Sequence, residues 1–222
     1  MTKFLGKKLL IAVAHPDDET FLAAGTIIEN RKLGGRNFIV CATLGEKGKS
    51  HLDRKVSDAQ LKKIRQKELF EVSKFLKVDD LEFLKMPDTG LNKLVPELER
   101  RIHGIAAAIR PDYILSFGAD GISGHLDHIA IGKAAKRAAK RLKIPFVAFA
   151  APPQIAKNAE IIKSRRAFGK YIKNLKHAKP DTKIKINAKL KRKALAFHKS
   201  QIKQVGSLAS MMEYEYFVVK NK

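Results

Sequence analysis

One cysteine in 222 residues leaves no internal disulfide to form. A chain without disulfides suits a reducing compartment, and cytoplasm is the expected location. Cys41 falls within an apolar run, Phe38 to Ala42, where a cysteine is a small buried hydrophobe before it is a nucleophile. Long apolar runs are also absent. Nothing approaches the ~20 residues that span a bilayer, which excludes a transmembrane helix. The short stretch Leu9–Ala14 leads straight into acids and not into a small-residue cleavage site, so no secretory signal is expected there. Internal repeats and low-complexity tails are missing too. Acids are scarce in one place: residues 131–222 hold 24 Lys and Arg against 4 Asp and Glu, a net of +20. Residues 1–130 hold 21 against 18, a net of +3. So lopsided a charge suits an anionic partner: nucleic acid, an anionic membrane surface or a phosphorylated substrate. A lysine-rich solvated face accounts for it equally well.

What is present describes a soluble globular chain, 45% apolar and 30% charged, of a length for one domain over 1–222. Residues 1–150 read as a parallel-sheet core and 151–222 as a basic set of substrate-side and edge elements. Lys7–Ala14, Asn37–Thr43, Leu81–Met86, Asp112–Phe117 and Pro145–Ala150 are apolar enough for buried strands. Helical spacings lie between them, over 19–33, 57–77, 94–109 and from about His128 to Arg141. Pro152-Pro153 breaks the alternation, and residues 154–180 give little to read. Thr182–Ile186 alternates like an edge strand, Asn187 is placed to cap a helix running to Gln204, and Glu213–Val219 reads as a last strand. The expectation is an α/β fold: a Rossmann-like, mostly parallel sheet with helices on both faces and a smaller mixed carboxyl-terminal portion.

The first strand ends in His15, a rigid Pro16 and three acids, Asp17, Asp18 and Glu19. Capping of the next helix explains one acid there, but not three with a histidine. The fourth strand opens into a loop holding Asp120, His125, Asp127 and His128, and the second into one holding Glu46. A right-handed parallel sheet brings these strand ends to one rim, where open α/β sheets place ligands. Histidines and acids from two such loops suit a zinc site of nitrogen and oxygen donors, with a position left for water. His125 and His128 flank Asp127 as if one bound metal and the other served a second role. Residue type and placement alone point to a metal hydrolase.

Ala14-His15-Pro16-Asp17-Asp18-Glu19, together with Gly124-His125-Leu126-Asp127-His128, resembles the zinc-dependent de-N-acetylases of the PIG-L/LmbE superfamily. That group includes the N-acetylglucosaminyl-phosphatidylinositol deacetylase and the deacetylases of mycothiol and bacillithiol synthesis. Gly45-Glu46-x-Gly48, Arg65-x-x-Glu68, Pro87-Asp88, Arg110-Pro111-Asp112 and His198-x-Ser200-Gln201 are similar to its landmarks, in the same order. The resemblance implies hydrolysis of an N-acyl amide, most often acetyl, on an amino sugar or its conjugate, with one zinc, or another divalent transition metal, per chain. It makes His15, Asp18 and His128 the metal ligands and Asp17 the general base. It makes His125 the group that holds the oxyanion or protonates the leaving amine as a cation, with Asp127 its orienting partner. Glu46, Arg65, Asp88 and Gln201 match positions near substrate; Arg65 would face an anionic or polyol group unless it is an exposed helix residue paired with Glu68. Leu126 stands where the family usually has proline, and Ser123 where some members have tyrosine.

Two other readings remain beside this one. The +20 region suits a nucleic-acid or anionic-surface binding protein with a vestigial metal site, although it holds no arginine-rich or aromatic-interleaved recognition motif. The same catalytic residues also suit an amidase acting on a non-sugar conjugate.

Overall fold

The computed structural model describes residues 2–150, 178–202 and 213–219. Five apolar runs form strands β1 (Lys8–Val13), β2 (Arg36–Cys41), β3 (Asp80–Phe83), β4 (Tyr113–Phe117) and β5 (Phe146–Ala150). Between them lie helices α1 (Asp18–Lys32), α2 (Asp58–Phe75), α3 (Val95–Ile109), a short α4 (Gly121–Gly124) and α5 (Leu126–Leu142). Later in the chain come β6 (Thr182–Lys185), α6 (Ala188–Leu195) and β7 (Tyr214–Val218). One sheet carries all seven strands in the order β3-β2-β1-β4-β5-β7-β6. β1 to β5 pair in parallel, while β7 runs antiparallel to both β5 and β6. This is the expected α/β sheet with a mixed edge.

From β1 the chain moves through β2 to β3 in one direction; from β4 to β5 it moves in the other. Right-handed crossovers therefore put α1 and α2 on one face, and α5, with α3 packed on it, on the opposite face. The direction reverses between β1 and β4, which are direct neighbours, so the loops after them diverge and leave a crevice. Leu9 to Ala14 are completely buried, as a strand covered on both faces requires. Helix α5 approaches β4 closely because Gly132 has no side chain: a Cβ there would lie 2.3 Å from the Phe117 carbonyl oxygen. That approach sets the amino end of α5 against the end of β4.

Several local readings are refined by packing. Helix α6 keeps its Asn187 cap, whose side chain accepts from the Leu190 N–H at 3.0 Å, but stops at Leu195; Gln204, its expected end, lies outside the described residues. Its bonds tighten to three-residue spacing, Phe197 N–H to Ala194 and His198 N–H to Leu195, both at 3.1 Å. That turn lays Phe197 against Phe75 and carries His198 inside. Leu126 is the first residue of α5, a position open to most residues as well as proline. His125 before it is extended, at φ −62 and ψ 127, as a residue preceding proline would be. Cys41 is buried, and burial first, then the acids Glu19 and Asp18, push its thiol up, which suits the inert role. The apolar cluster continues from β1 to Ile184, Ala194 and Phe217, so the late elements share the core of the parallel sheet. Most of the unreadable stretch 154–180 lies outside the described residues. Among those described, no helix is long and apolar enough to cross a membrane.

Candidate active site

Helix α1 begins immediately below the crevice, so its first residues and the residues that end β1 share one turn. Asp18 folds back over that turn: its Oδ2 accepts from the Ala14 N–H at 3.2 Å and the His15 N–H at 2.8 Å. The other oxygen, Oδ1, lies 3.2 Å from His128 Nε2. His128 Nδ1 meets the Gly121 carbonyl at 3.1 Å, and the ring stacks on Phe117 with centroids 4.0 Å apart. A carbonyl can only accept, so Nδ1 carries a proton and Nε2 is the nitrogen turned toward Asp18. His15 Nε2 lies 3.2 Å from Asp88 Oδ1 and 3.3 Å from Asp127 Oδ2, while its Nδ1 lies 3.6 Å from Asp18.

Two groups of potential ligands result, each with its donor atoms within 4.8 Å of one another: His15–Asp18–His128 and His15–His125–Asp127. The first fits a metal better. Both oxygens of Asp127 are already engaged by backbone, Oδ2 by the Thr89 N–H at 2.8 Å and Oδ1 by the Leu91 N–H at 3.0 Å. In the first group each histidine has one nitrogen held by a carbonyl or carboxylate and the other turned toward Asp18, which is how ligand histidines are oriented. Two nitrogens and one carboxylate oxygen also suit zinc with an open position.

The same contacts set the charges. Against the effect of burial, Asp127, Asp18 and Asp88 hold the His15 imidazole well above its usual pKa. Asp18 is held well below the usual carboxylate range, burial notwithstanding, by His128 and His15. Asp88 and Asp127 are likewise held low despite burial, chiefly through His15. Asp17 goes the other way. Burial, only partly offset by Arg65 and reinforced by Asp18, lifts it to about 6. His125 is pushed down to about 4 by burial, then by the neighbouring His128 and His15 rings. That direction runs against the expected cation at His125: desolvation and the His128 and His15 rings outweigh Asp127, which raises it.

A cavity of about 300 Å³ is lined by His15, Asp17, Asp18, Asp88, His125 and His128, and by Arg65 deeper in. Asp17 occupies the position before α1 with φ 115, a left-handed conformation rare for an aspartate, and its side chain does not cap the helix. Its Oδ2 instead meets Arg65 Nη2 at 3.2 Å. Arg65 is not an exposed partner of Glu68: it lines the cavity with its guanidinium tied to backbone carbonyls. It is buried, donating to the Pro16 carbonyl at 2.6 Å and the Gly45 carbonyl at 2.9 Å. Gly45 and Gly48 make room for it: a Cβ at Gly45, where φ is +68, would lie 2.3 Å from Nη1.

The remaining candidates take supporting positions. Glu46 accepts from the Asp88 N–H at 3.3 Å, and its Oε2 is buried without a partner among the described residues. Asp88 in turn accepts from the Lys47 N–H at 2.8 Å. Gln201 bonds Ser200 beside Gly48, one layer back from the cavity. Asp120 caps α4. Asp127 meets His125 through its peptide, the N–H donating to Nδ1 at 3.2 Å, while its carboxylate turns to His15. Reading by motif missed Lys47, Phe21 and Thr89, which also line the cavity. For Lys47 the signal was its place between Glu46 and Gly48; Phe21 and Thr89 gave none.

Comparison with known proteins follows the same outline. A probable N-acetyl-alpha-D-glucosaminyl L-malate deacetylase of Bacillus anthracis is 34% identical over 134 residues, 60% of this chain and 59% of that one. The chain thus spans about three fifths of that relative's length. Among solved structures, the N,N'-diacetylchitobiose deacetylase of Pyrococcus horikoshii superposes with a TM-score of 0.66 at 21% identity, covering 96% of this chain and 84% of that one. The 4-carboxy-2-hydroxymuconate hydratase of Pseudomonas putida gives 0.66 at 20%, covering 93% and 82%, so this fold is also shared by an enzyme of another reaction class. Residues 10–139, which include both histidine motifs and the elements that bring them together, match the family described as GlcNAc-PI de-N-acetylase. More than half of the chain is matched in this way, and the protein belongs to that family, PIG-L.

Proposed function

We propose that the protein is a zinc-dependent hydrolase that removes an N-acetyl group from an amino-sugar conjugate. One observation carries the reading: His15, Asp18 and His128 present converging donor atoms, and Asp17 lines the same cavity without belonging to that group. Zinc held by those three residues would lower the pKa of a bound water to ~7 and polarise an amide carbonyl. Asp17, with a pKa near 6, is ionised at neutral pH yet basic enough to take a proton within the cavity. His125 accepts the Asp127 N–H at Nδ1, so its neutral ring carries the proton on Nε2. That Nε2–H donates a hydrogen bond to the oxygen on which negative charge develops, and the proton taken up by Asp17 passes to the departing amine. Asp88 and Asp127 hold the His15 ring in place from behind.

The experiment is release of free amine by zinc-loaded protein from N-acetyl-alpha-D-glucosaminyl L-malate and from N,N'-diacetylchitobiose, one anionic and one neutral. Turnover of either supports the reading, and turnover of neither rejects it for both sugar classes. Asp17→Asn should keep its zinc and lose on the order of 10³-fold in kcat. A variant with the wild-type rate would remove Asp17 from the role of base.

A further inference from the structure

We infer that Glu19 and His198 are a positioning pair that fixes the backbone of Asp17 and thereby aims its carboxylate into the cavity. The inference rests on the reading of Asp17 as the base. Residues with positive φ and a side chain persist only where their surroundings over-determine them, and Asp17 is held from two directions. Arg65 grips the Asp17 carboxylate and the carbonyl of Pro16 just before it. From the other side, the Asp17 N–H donates to Glu19 Oε2 at 3.1 Å.

Glu19 is completely buried and does not line the cavity. Its second oxygen, Oε1, receives the Thr20 hydroxyl and lies 3.3 Å from His198 Nε2, which is also 3.0 Å from Thr20 Oγ1. An ionised carboxylate only accepts, so Nε2 carries the proton. His198 is equally buried, and its turn is pinned to α2 by Glu68, which accepts from the Ser200 N–H at 2.8 Å and hydroxyl at 2.6 Å. A continuous path of bonds thus runs from α2 through the turn after α6 to the peptide of Asp17.

Helix capping alone does not call for this. Helix α2 shows the complete reciprocal box, Ser57 with Gln60, exposed and with no buried charge. Helix α1 has only a backward bond, the Asp17 N–H donating to Glu19, one residue short of the box position. The forward half is given up, since the Asp17 carboxylate caps nothing. A plain N-cap would satisfy the helix and use up that carboxylate. Glu19, backed by His198, satisfies the turn while leaving it free.

The test compares Glu19→Ala, Glu19→Gln and His198→Ala in the wild-type and Asp17→Asn backgrounds. The readouts are kcat and KM on N-acetyl-alpha-D-glucosaminyl L-malate, zinc content, and crystal structures. In the wild-type background the two alanine variants should lose on the order of 100-fold in kcat, as for an ångström-scale misplacement, with KM and zinc content unchanged. Glu19→Gln keeps an acceptor for the Asp17 N–H and should recover most of that loss. In the Asp17→Asn background the same substitutions should cost no more than about threefold, because there is no carboxylate left to aim. Equal losses in both backgrounds, or a lowered unfolding temperature with kcat intact, overturn the pair. Should Asp17→Asn itself keep the wild-type rate, or the wild type turn over no substrate, the reading beneath has failed and the crystal structures decide. Asp17 leaving positive φ in Glu19→Ala upholds the pair, and Asp17 unmoved rejects it. If Glu19→Ala does not fold, His198→Ala supplies both measurements.

Discussion

The parallel part of the sheet and its antiparallel edge both bury charge, and they do it in opposite ways. At the edge, Glu215 of β7 accepts four bonds: the Gly25 N–H at 2.9 Å, the Thr26 N–H at 2.7 Å, the Thr26 hydroxyl at 2.6 Å and Lys191 Nζ at 2.7 Å. Lys191 of α6 also donates to the Phe21 carbonyl at 2.7 Å. Every partner belongs to α1, α6 or β7. This ion pair is saturated, and it ties the late elements to the helix that begins at the site. At the rim of the parallel strands, His15, Asp18 and His128 turn their donor atoms toward a shared space, and the carboxylate of Asp17 opens on the same cavity. Saturated charge builds structure; charge left convergent and open is available for chemistry. Apart from Lys191, the described basic residues of β6 and α6, Lys183, Lys185, Lys189, Arg192 and Lys193, are exposed and belong to neither class.

His128→Ala should break the rim most severely. Loss of one of three donors should take zinc well below one per chain by elemental analysis and reduce kcat by about 10³-fold or more. A chelator should lower the unfolding temperature of the wild type and leave the variant unmoved, because only the wild type has bound metal to lose. Unchanged zinc stoichiometry would reject His128 as a ligand.

Glu215→Ala is the corresponding lesion at the edge. It strands Lys191, 1% exposed, beside two α1 amides that have lost their acceptor. Removing one member of such a pair costs about 3 kcal/mol. Denaturant unfolding should register that loss, with zinc content unchanged and kcat within a few-fold below the unfolding transition. If zinc were lost while stability held, the division between the two regions would be wrong.

Strand order and the meeting of His15 with His128 follow from short loops on apolar strands, and such features are legible along a chain. Side-chain direction is not. The Asp127 carboxylate turns to His15 because the amides of Thr89 and Leu91 arrive from the β3–α3 connection to receive it. Arg65 turns inward because Gly45 and Gly48 lack side chains, although residues 57–77 read simply as an amphipathic helix. His125 is pushed down because it is buried and because two other imidazoles crowd it, with His15 and His125 centroids 4.9 Å apart. Glu19 falls in the first turn of the helix that the spacing over 19–33 predicts, and it serves that turn. Its partner His198 lies 179 residues away in a turn that no periodicity foretells.

The weakest test separates a held-down carboxyl from a functional one. Asp79 sits at the opposite end of the sheet from the crevice, where Arg31 Nη1 at 3.0 Å, Arg36 Nε at 3.2 Å and the Asn37 N–H at 2.8 Å reach it. Burial opposes its ionisation, but the Asn37 N–H, Arg36 and Arg31 together hold it below its ordinary 3.8. A depressed folded pKa contributes stability that is present above the unfolded value and lost as pH falls through the folded one. Asp79→Asn should therefore destabilise the protein by no more than about 1 kcal/mol at neutral pH, since both arginines are substantially exposed. The gap between variant and wild type should close as pH drops below 3.8, measured by urea unfolding at a series of pH values. Zinc content and kcat at neutral pH should match the wild type, because Asp79 shares the direction of Asp18's shift but has no cavity. A gap that widened in acid would mean that protonated Asp79, and not the ion pair, stabilises this end of the sheet.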